Sequence, residues 1–209
     1  MTHELRRKIL LATSNQGKIK EYHAMLAPLG LAVEGLAKHP RVQLPEEDGS
    51  TFAENARLKA VAAARQAGLV ALADDSGLCV DALGGEPGIR SARYRGGESD
   101  AERRRLLREA LLGVPEERRA AHFVCAIAVA SPEGEARWVQ GRADGLILAE
   151  ERGDGGFGYD PLFLVPELGR TYAELPAGEK DRISHRGKAA ARLPLLLDGW
   201  PELWLRKKG

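Results

Sequence analysis

The chain has 209 residues, 44% of them hydrophobic and 29% charged, enough for one domain over residues 1–209 with a sizeable core, or two closely joined lobes. A formal net charge of +1 excludes a bulk basic field for nucleic acid or a membrane surface, so any bound anion must be met by locally gathered cations. Cys79 and Cys125 each sit in an apolar run, which argues against a disulfide framework or a zinc site and for two reduced core residues.

Residues 1–8 are charged and lead into an apolar run of only residues 9–12, far short of a secretory segment. No other stretch approaches a membrane span, so a cytoplasmic location is expected. Residues 9–12 read as a short buried strand. After the polar turn 13–18, Ile19, Tyr22, Met25, Leu26 and Leu29 recur at helical spacing until Gly30 stops the helix. Residues 31–33 suggest a second strand, and 38–49, with Pro40, Pro45 and three consecutive acids, a loop. Thr51 and Glu54 form a capping-box pair ahead of an alanine-rich helix that ends at Ala67, with Gly68 supplying the left-handed residue.

Residues 69–73 then form a buried strand, and 78–80, 123–130, 136–140, 145–148 and 161–165 further ones, with a hairpin signal at Ser131-Pro132-Glu133-Gly134. Ser99 and Glu102 cap a charged helix running to about Leu112, whose arginine-rich face reads as solvated. Residues 183–197 look helical, but Pro194 must end or kink that helix.

Four segments carry chemistry. Thr13-Ser14-Asn15-Gln16-Gly17-Lys18 joins a strand to a helix, placing backbone N–H groups, hydroxyls and a lysine at a helix N-terminus where phosphate binds. It lacks the glycine and the Ser/Thr of a P-loop. Asp74-Asp75-Ser76-Gly77 follows the strand 69–73, and adjacent carboxylates there call for a cation, magnesium being the natural one, unless they serve only a turn or cap. Glu46 or Glu47 is a candidate further ligand. In the glycine-dense run 153–161, Phe157 and Tyr159 can stack on a flat ring, the alternative being a tight turn with core aromatics. Lys180 and the run Ser184-His185-Arg186-Gly187-Lys188 supply donors for a base carbonyl or a phosphate, or simply start a helix.

Taken in order, Ser14-Asn15-Gln16-Gly17-Lys18, Thr51-Phe52-Ala53-Glu54-Asn55-Ala56 with Lys59, Ala73-Asp74-Asp75-Ser76-Gly77-Leu78, Ala82-Leu83-Gly84-Gly85-Glu86-Pro87-Gly88, Phe157-Gly158-Tyr159-Asp160-Pro161 and Ser184-His185-Arg186-Gly187 resemble the successive signatures of the Ham1 family of inosine/xanthosine triphosphate pyrophosphatases. The resemblance covers nearly the whole chain. It implies an elongated α/β fold, a mixed sheet with flanking helices and two lobes around an active-site cleft, and a homodimer. It implies Mg²⁺-dependent cleavage of non-standard purine triphosphates (ITP, dITP, XTP) to monophosphate and pyrophosphate.

By that resemblance Thr13, Ser14, Asn15, Gln16, Gly17 and Lys18 hold the phosphates, Lys59 adds charge, and Asp75 is the general base with Ser76 beside it. Asp74, Asp75 and one of Glu46 and Glu47 hold magnesium. Phe157, Gly158, Tyr159, Asp160, Lys180, His185 and Arg186 line the base and sugar site. A house-cleaning pyrophosphatase for other modified nucleotides and a non-catalytic purine-nucleotide sensor are the competing readings; the aspartate pair speaks against the sensor, which gains little from a poised base.

Overall fold

The computed structural model describes residues 8–198 and Trp200, so the extension 1–7 lies outside the described residues. Among the described residues seven strands form one mixed sheet in the order β2-β1-β3-β4-β5-β6-β7. They are β1 (Lys8–Leu11), β2 (Ala32–Gly35), β3 (Ala71–Val80), β4 (Ala120–Ala130), β5 (Ala136–Ile147), β6 (Phe163–Val165) and β7 (Arg170–Thr171). β1 runs parallel to β2 and β3, whereas β6 is antiparallel to β5 and β7. The helices are α1 (Gln16–Leu26), α2 (Phe52–Ala67), α3 (Asp100–Ala110), α4 (Ala177–Ile183), α5 (His185–Ala190) and α6 (Leu193–Asp198). This is the expected α/β class. The described residues divide into two compact units: those up to Asp75 with Ala126–Gln140 and those from Ala189 on, and Ser76–Cys125 with Gly141–Lys188.

In the first unit α2 buries four alanines together with Asn55 and Lys59. Ala56, Ala60, Ala63 and Ala64 recur at helical spacing and pack with Leu10, Ala71, Ala73 and the alternate β4 residues Ala126, Ala128 and Ala130. Small side chains on both surfaces let helix and sheet approach closely, so a larger residue there would overpack at a cost of about 1–3 kcal/mol. α2 starts where Thr51 accepts the Glu54 N–H and stops at Gly68, whose φ of 65° suits a residue without Cβ. The Glu54 carboxylate completes the cap by accepting the Ser50 N–H and hydroxyl.

The second unit's core is larger in its side chains: Leu78, Val80, Tyr94, Leu107, Leu111, Phe123, Ile147, Leu162, Phe163 and Tyr172. Its α3 is capped by Ser99, which accepts the Glu102 N–H.

Three expectations change, and one short strand is added. Residues 69–73 and 78–80 belong to one strand, β3, so Asp74 and Asp75 lie inside a ten-residue strand rather than beyond its end. Likewise 136–140 and 145–148 merge into β5, because polar residues on that strand mark an exposed side rather than a turn. The C-terminal helical stretch is three short helices, and Pro194 sits in the first turn of α6, where its missing N–H costs nothing, so it begins a helix instead of kinking one. β7, only two residues long, carries too few residues for a period-2 pattern to register.

Candidate active site

Two clusters gather the chemistry-bearing residues, one in each unit. In the first, β1 delivers the chain to Thr13 and α1 begins at the Asn15 cap. Thr13 Oγ1 accepts the Asn15 N–H at 3.2 Å and Asn15 Oδ1 accepts the Lys18 N–H at 3.0 Å. Ser14, Asn15 and Gln16 are exposed, so this turn faces solvent at the start of α1, where an anion is favoured. The Lys18 side chain leaves that turn to place its Nζ 3.0 Å from Asp74 Oδ1. The tandem aspartates and the early lysine turn therefore meet.

Asp75 is gripped from α2. Asn55 and Lys59 are four residues apart and so share a helix face. Asn55 Nδ2 donates to Asp75 Oδ2 at 3.0 Å, and Lys59 Nζ lies 3.8 Å from Asp75 Oδ1. Lys59 also donates to Glu47, and Asn55 Oδ1 accepts the Gly49 N–H at 2.8 Å, so α2 ties the acidic loop to the aspartate as well. A Cβ at Gly49 would come within 2.6 Å of Asn55 Oδ1, which is why the loop turns on glycine here. Of the two glutamates, Glu47 joins the cluster through Lys59, whereas Glu46 is exposed.

Two ammonium groups face three carboxylates, all on buried or half-buried residues. Burial pulls the Lys59 ammonium toward neutrality, but Asp74, Asp75 and Glu47 outweigh it and hold the pKa above the usual lysine value. For Asp75, burial pushes the carboxyl above its ordinary range and Glu47 adds to this, against the pull of Lys59, Asn55 and Lys18. The cluster thus carries excess negative charge on hard oxygens, which a divalent cation would relieve. Among the described residues no group of three or more His, Cys, Asp or Glu side chains is arranged to hold a metal by itself.

The second cluster is built on rings. His185 is stacked on Phe123 at 4.5 Å between centroids and 11° between planes, with Tyr172 beyond at 6.4 Å. Lys180, buried and paired with Asp160, sits 4.8 Å from the Phe157 ring centroid and 5.7 Å from that of Tyr172. Arg186 stands 5.6 Å from the Phe157 ring and donates to Ser76 Oγ at 2.8 Å. Asp160 also accepts the Phe157 N–H at 2.8 Å, so one carboxylate both closes the turn and anchors Lys180.

Gly187 lets α5 follow α4 so tightly, since a Cβ there would fall 1.6 Å from the Asp181 carbonyl oxygen. The glycines at 153 and 155 have a different use from the one expected: they admit the chain's own backbone at Ala173, 2.6 and 2.7 Å from where a Cβ would stand. Tyr159 is a core residue rather than a stacking platform, buried with its hydroxyl donating to the Ser91 carbonyl at 2.9 Å.

Sequence reasoning did not single out Asn55 for a role, although its place four residues before Lys59 was a usable signal. It also set aside the arginines of α3. Arg103 and Arg104 are mostly buried, and Arg104 Nη1 donates to the Gly158 carbonyl at 2.9 Å.

Comparison with known proteins agrees with the motif order. The Ham1 family model matches residues 9–194. A dITP/XTP pyrophosphatase of Thermus thermophilus is 51% identical over 195 residues, covering 93% of this chain and 94% of its own. One from Desulforamulus reducens is 50% identical over 193 residues, covering 91% and 96%. The solved structure of a HAM1 protein from Coxiella burnetii aligns with a TM-score of 0.83 at 43% identity, covering 92% of this chain and 99% of that one. On its family match, its relatives and its fold, the chain belongs to the Ham1 family.

Proposed function

We propose that this protein hydrolyses non-standard purine nucleoside triphosphates, ITP, dITP and XTP, to the monophosphate and pyrophosphate, and so clears them from the nucleotide pool. The observation that carries the reading is Asp75, a buried carboxylate gripped by Asn55 and Lys59 beside the Lys18–Asp74 pair. Relatives named dITP/XTP pyrophosphatase at about half identity support it.

A triphosphate brings roughly four negative charges, and attack by water at the α-phosphorus needs them neutralised and the water aligned opposite the leaving pyrophosphate. The turn at residues 13–18, at the N-terminus of α1, and the ammoniums of Lys18 and Lys59 meet that charge. Asp75 accepts the proton of the attacking water. Glu47, Asp74 and Asp75 are the carboxylates that would hold Mg²⁺. Such an ion, when bound, stabilises phosphate charge and makes a bound water more acidic.

Phe157 takes the base on its ring, with Lys180 and Asp160 fixing the pocket, and Ser76 lies at the Arg186 guanidinium. His185 and Arg186 offer donors to a 6-carbonyl. An adenine amino group would leave such a donor unpaired, a mismatch worth on the order of 10⁴-fold in a desolvated pocket. A homodimer in a reducing, cytoplasmic compartment completes the reading.

The test is pyrophosphate release from XTP, dITP, ITP, GTP, ATP and dUTP with Mg²⁺, and again after chelation. We expect the three non-standard purines to lead and chelation to abolish turnover. A pyrimidine as preferred substrate would sink the reading of the base site, and undiminished turnover after chelation would sink the metal assignment.

A further inference from the structure

α3 looks from its sequence like a solvated charged helix, yet two of its side chains reach the Phe157 turn. Asp100 and Arg104 are one helical turn apart on the same face. Asp100 Oδ2 accepts the Gly158 N–H at 2.8 Å, and Arg104 Nη1 donates to the Gly158 carbonyl at 2.9 Å. Both polar groups of one residue are thereby held by one helix through charge-assisted hydrogen bonds.

The gripping side chains are themselves held. Arg103 bonds Asp100 through its second oxygen and the Gly97 carbonyl at 2.8 Å, and Arg104 Nε lies 2.9 Å from Glu151 Oε2. Gly158 has φ 62°, the left-handed region, and a Cβ there would meet nothing within 4 Å. Backbone conformation rather than space therefore selects glycine at this position. With Phe157 N–H on Asp160 and the Tyr159 hydroxyl on Ser91, three successive residues of the turn are fixed, and the ring that carries Lys180 and Arg186 is the side chain they present.

We infer that Asp100 and Arg104 are positioning residues for base recognition: they set the Gly158 peptide and through it the Phe157 ring, without touching the nucleotide. This deepens the proposed function and rests on it. A clamp acting only on the ring changes how the base end binds and leaves the phosphate end alone.

The experiment compares wild type with Arg104→Met, Arg104→Lys, Asp100→Asn and a control, Arg105→Ala, whose side chain pairs with Glu109 on the exposed face of the same helix. For each, kcat and KM for XTP are measured, with inhibition constants for XMP, which carries the base, and for inorganic pyrophosphate, which does not. Arg104→Met should raise KM and the XMP constant about tenfold, leave the pyrophosphate constant within about twofold and change kcat by less than about threefold. Arg104→Lys and Asp100→Asn should give smaller shifts of the same kind, and Arg105→Ala none.

XMP and pyrophosphate constants that move together, or a lower melting temperature with neither moving, would overturn the inference. Should Arg104→Met fail to fold, the same comparison is decided on Arg104→Lys and Asp100→Asn. A wild type that does not hydrolyse XTP would instead overturn the proposed function itself.

Discussion

α2 and α3 do similar mechanical work with opposite materials. Each is capped by a hydroxyl residue, and each sends a pair of side chains four residues apart to a chemically important target: Asn55 and Lys59 to the Asp75 carboxylate, Asp100 and Arg104 to the Gly158 peptide. α2 surrounds its pair with alanines, so the polar groups are deeply buried and their mutual charge shifts pKa values. α3 surrounds its pair with other charged residues, and its target is a neutral backbone group. The first arrangement suits proton and phosphate chemistry, where a perturbed charge is the tool; the second suits holding a shape.

The harshest way to break this comparison is Asp75→Asn, which keeps the shape of the first cluster and removes its base. Turnover of XTP should fall by about 10²–10⁴-fold, the usual contribution of a positioned base, while nucleotide binding measured by calorimetry persists. Full turnover would remove Asp75 from its assigned role and leave α2 with packing alone. A milder break on the other side is Gly187→Ala. The added methyl must push α5 off the Asp181 carbonyl, which should cost roughly 1–3 kcal/mol in urea unfolding and weaken XMP more than pyrophosphate. An unchanged unfolding midpoint would show that the α4–α5 approach is easily relaxed.

The smallest effect sharpens the contrast in titration. Burial pushes the Asp100 carboxyl up, but the Gly158 N–H together with Arg103 and Arg104 more than offset it, so its pKa lies below the ordinary value. A depressed folded pKa stabilises above the unfolded value, about 3.9, and that contribution is lost as pH falls through the folded one. The stability gap between wild type and Asp100→Asn should therefore be present at neutral pH and close below about pH 4. A gap independent of pH would mean that the carboxylate charge contributes nothing to the clamp.

Much of this was legible from short stretches of sequence. Thr51, Ser99, Gly30 and Gly68 mark helix ends through interactions that close within a few residues, and the alanines of α2 declare a tightly packed face by their spacing. The motif order was enough to point to the Ham1 family. What failed was local too: the polar residues Asp74 and Asp75 read as the end of a strand because a strand interior rarely holds adjacent carboxylates, and here Lys18, Lys59 and Asn55 offset them.

The sequence by itself determined the α/β class and the caps of α2 and α3, and it named candidate site residues, because each depends on periodicity, capping or residue chemistry over short spans. Tertiary structure alone decided that Glu47 rather than Glu46 joins the aspartates, that Asn55 bonds Asp75 across 20 positions and that Arg104 reaches Gly158 across 54. Those contacts depend on how helices seat on the sheet, and side-chain reach across such separations leaves no periodic trace in the chain.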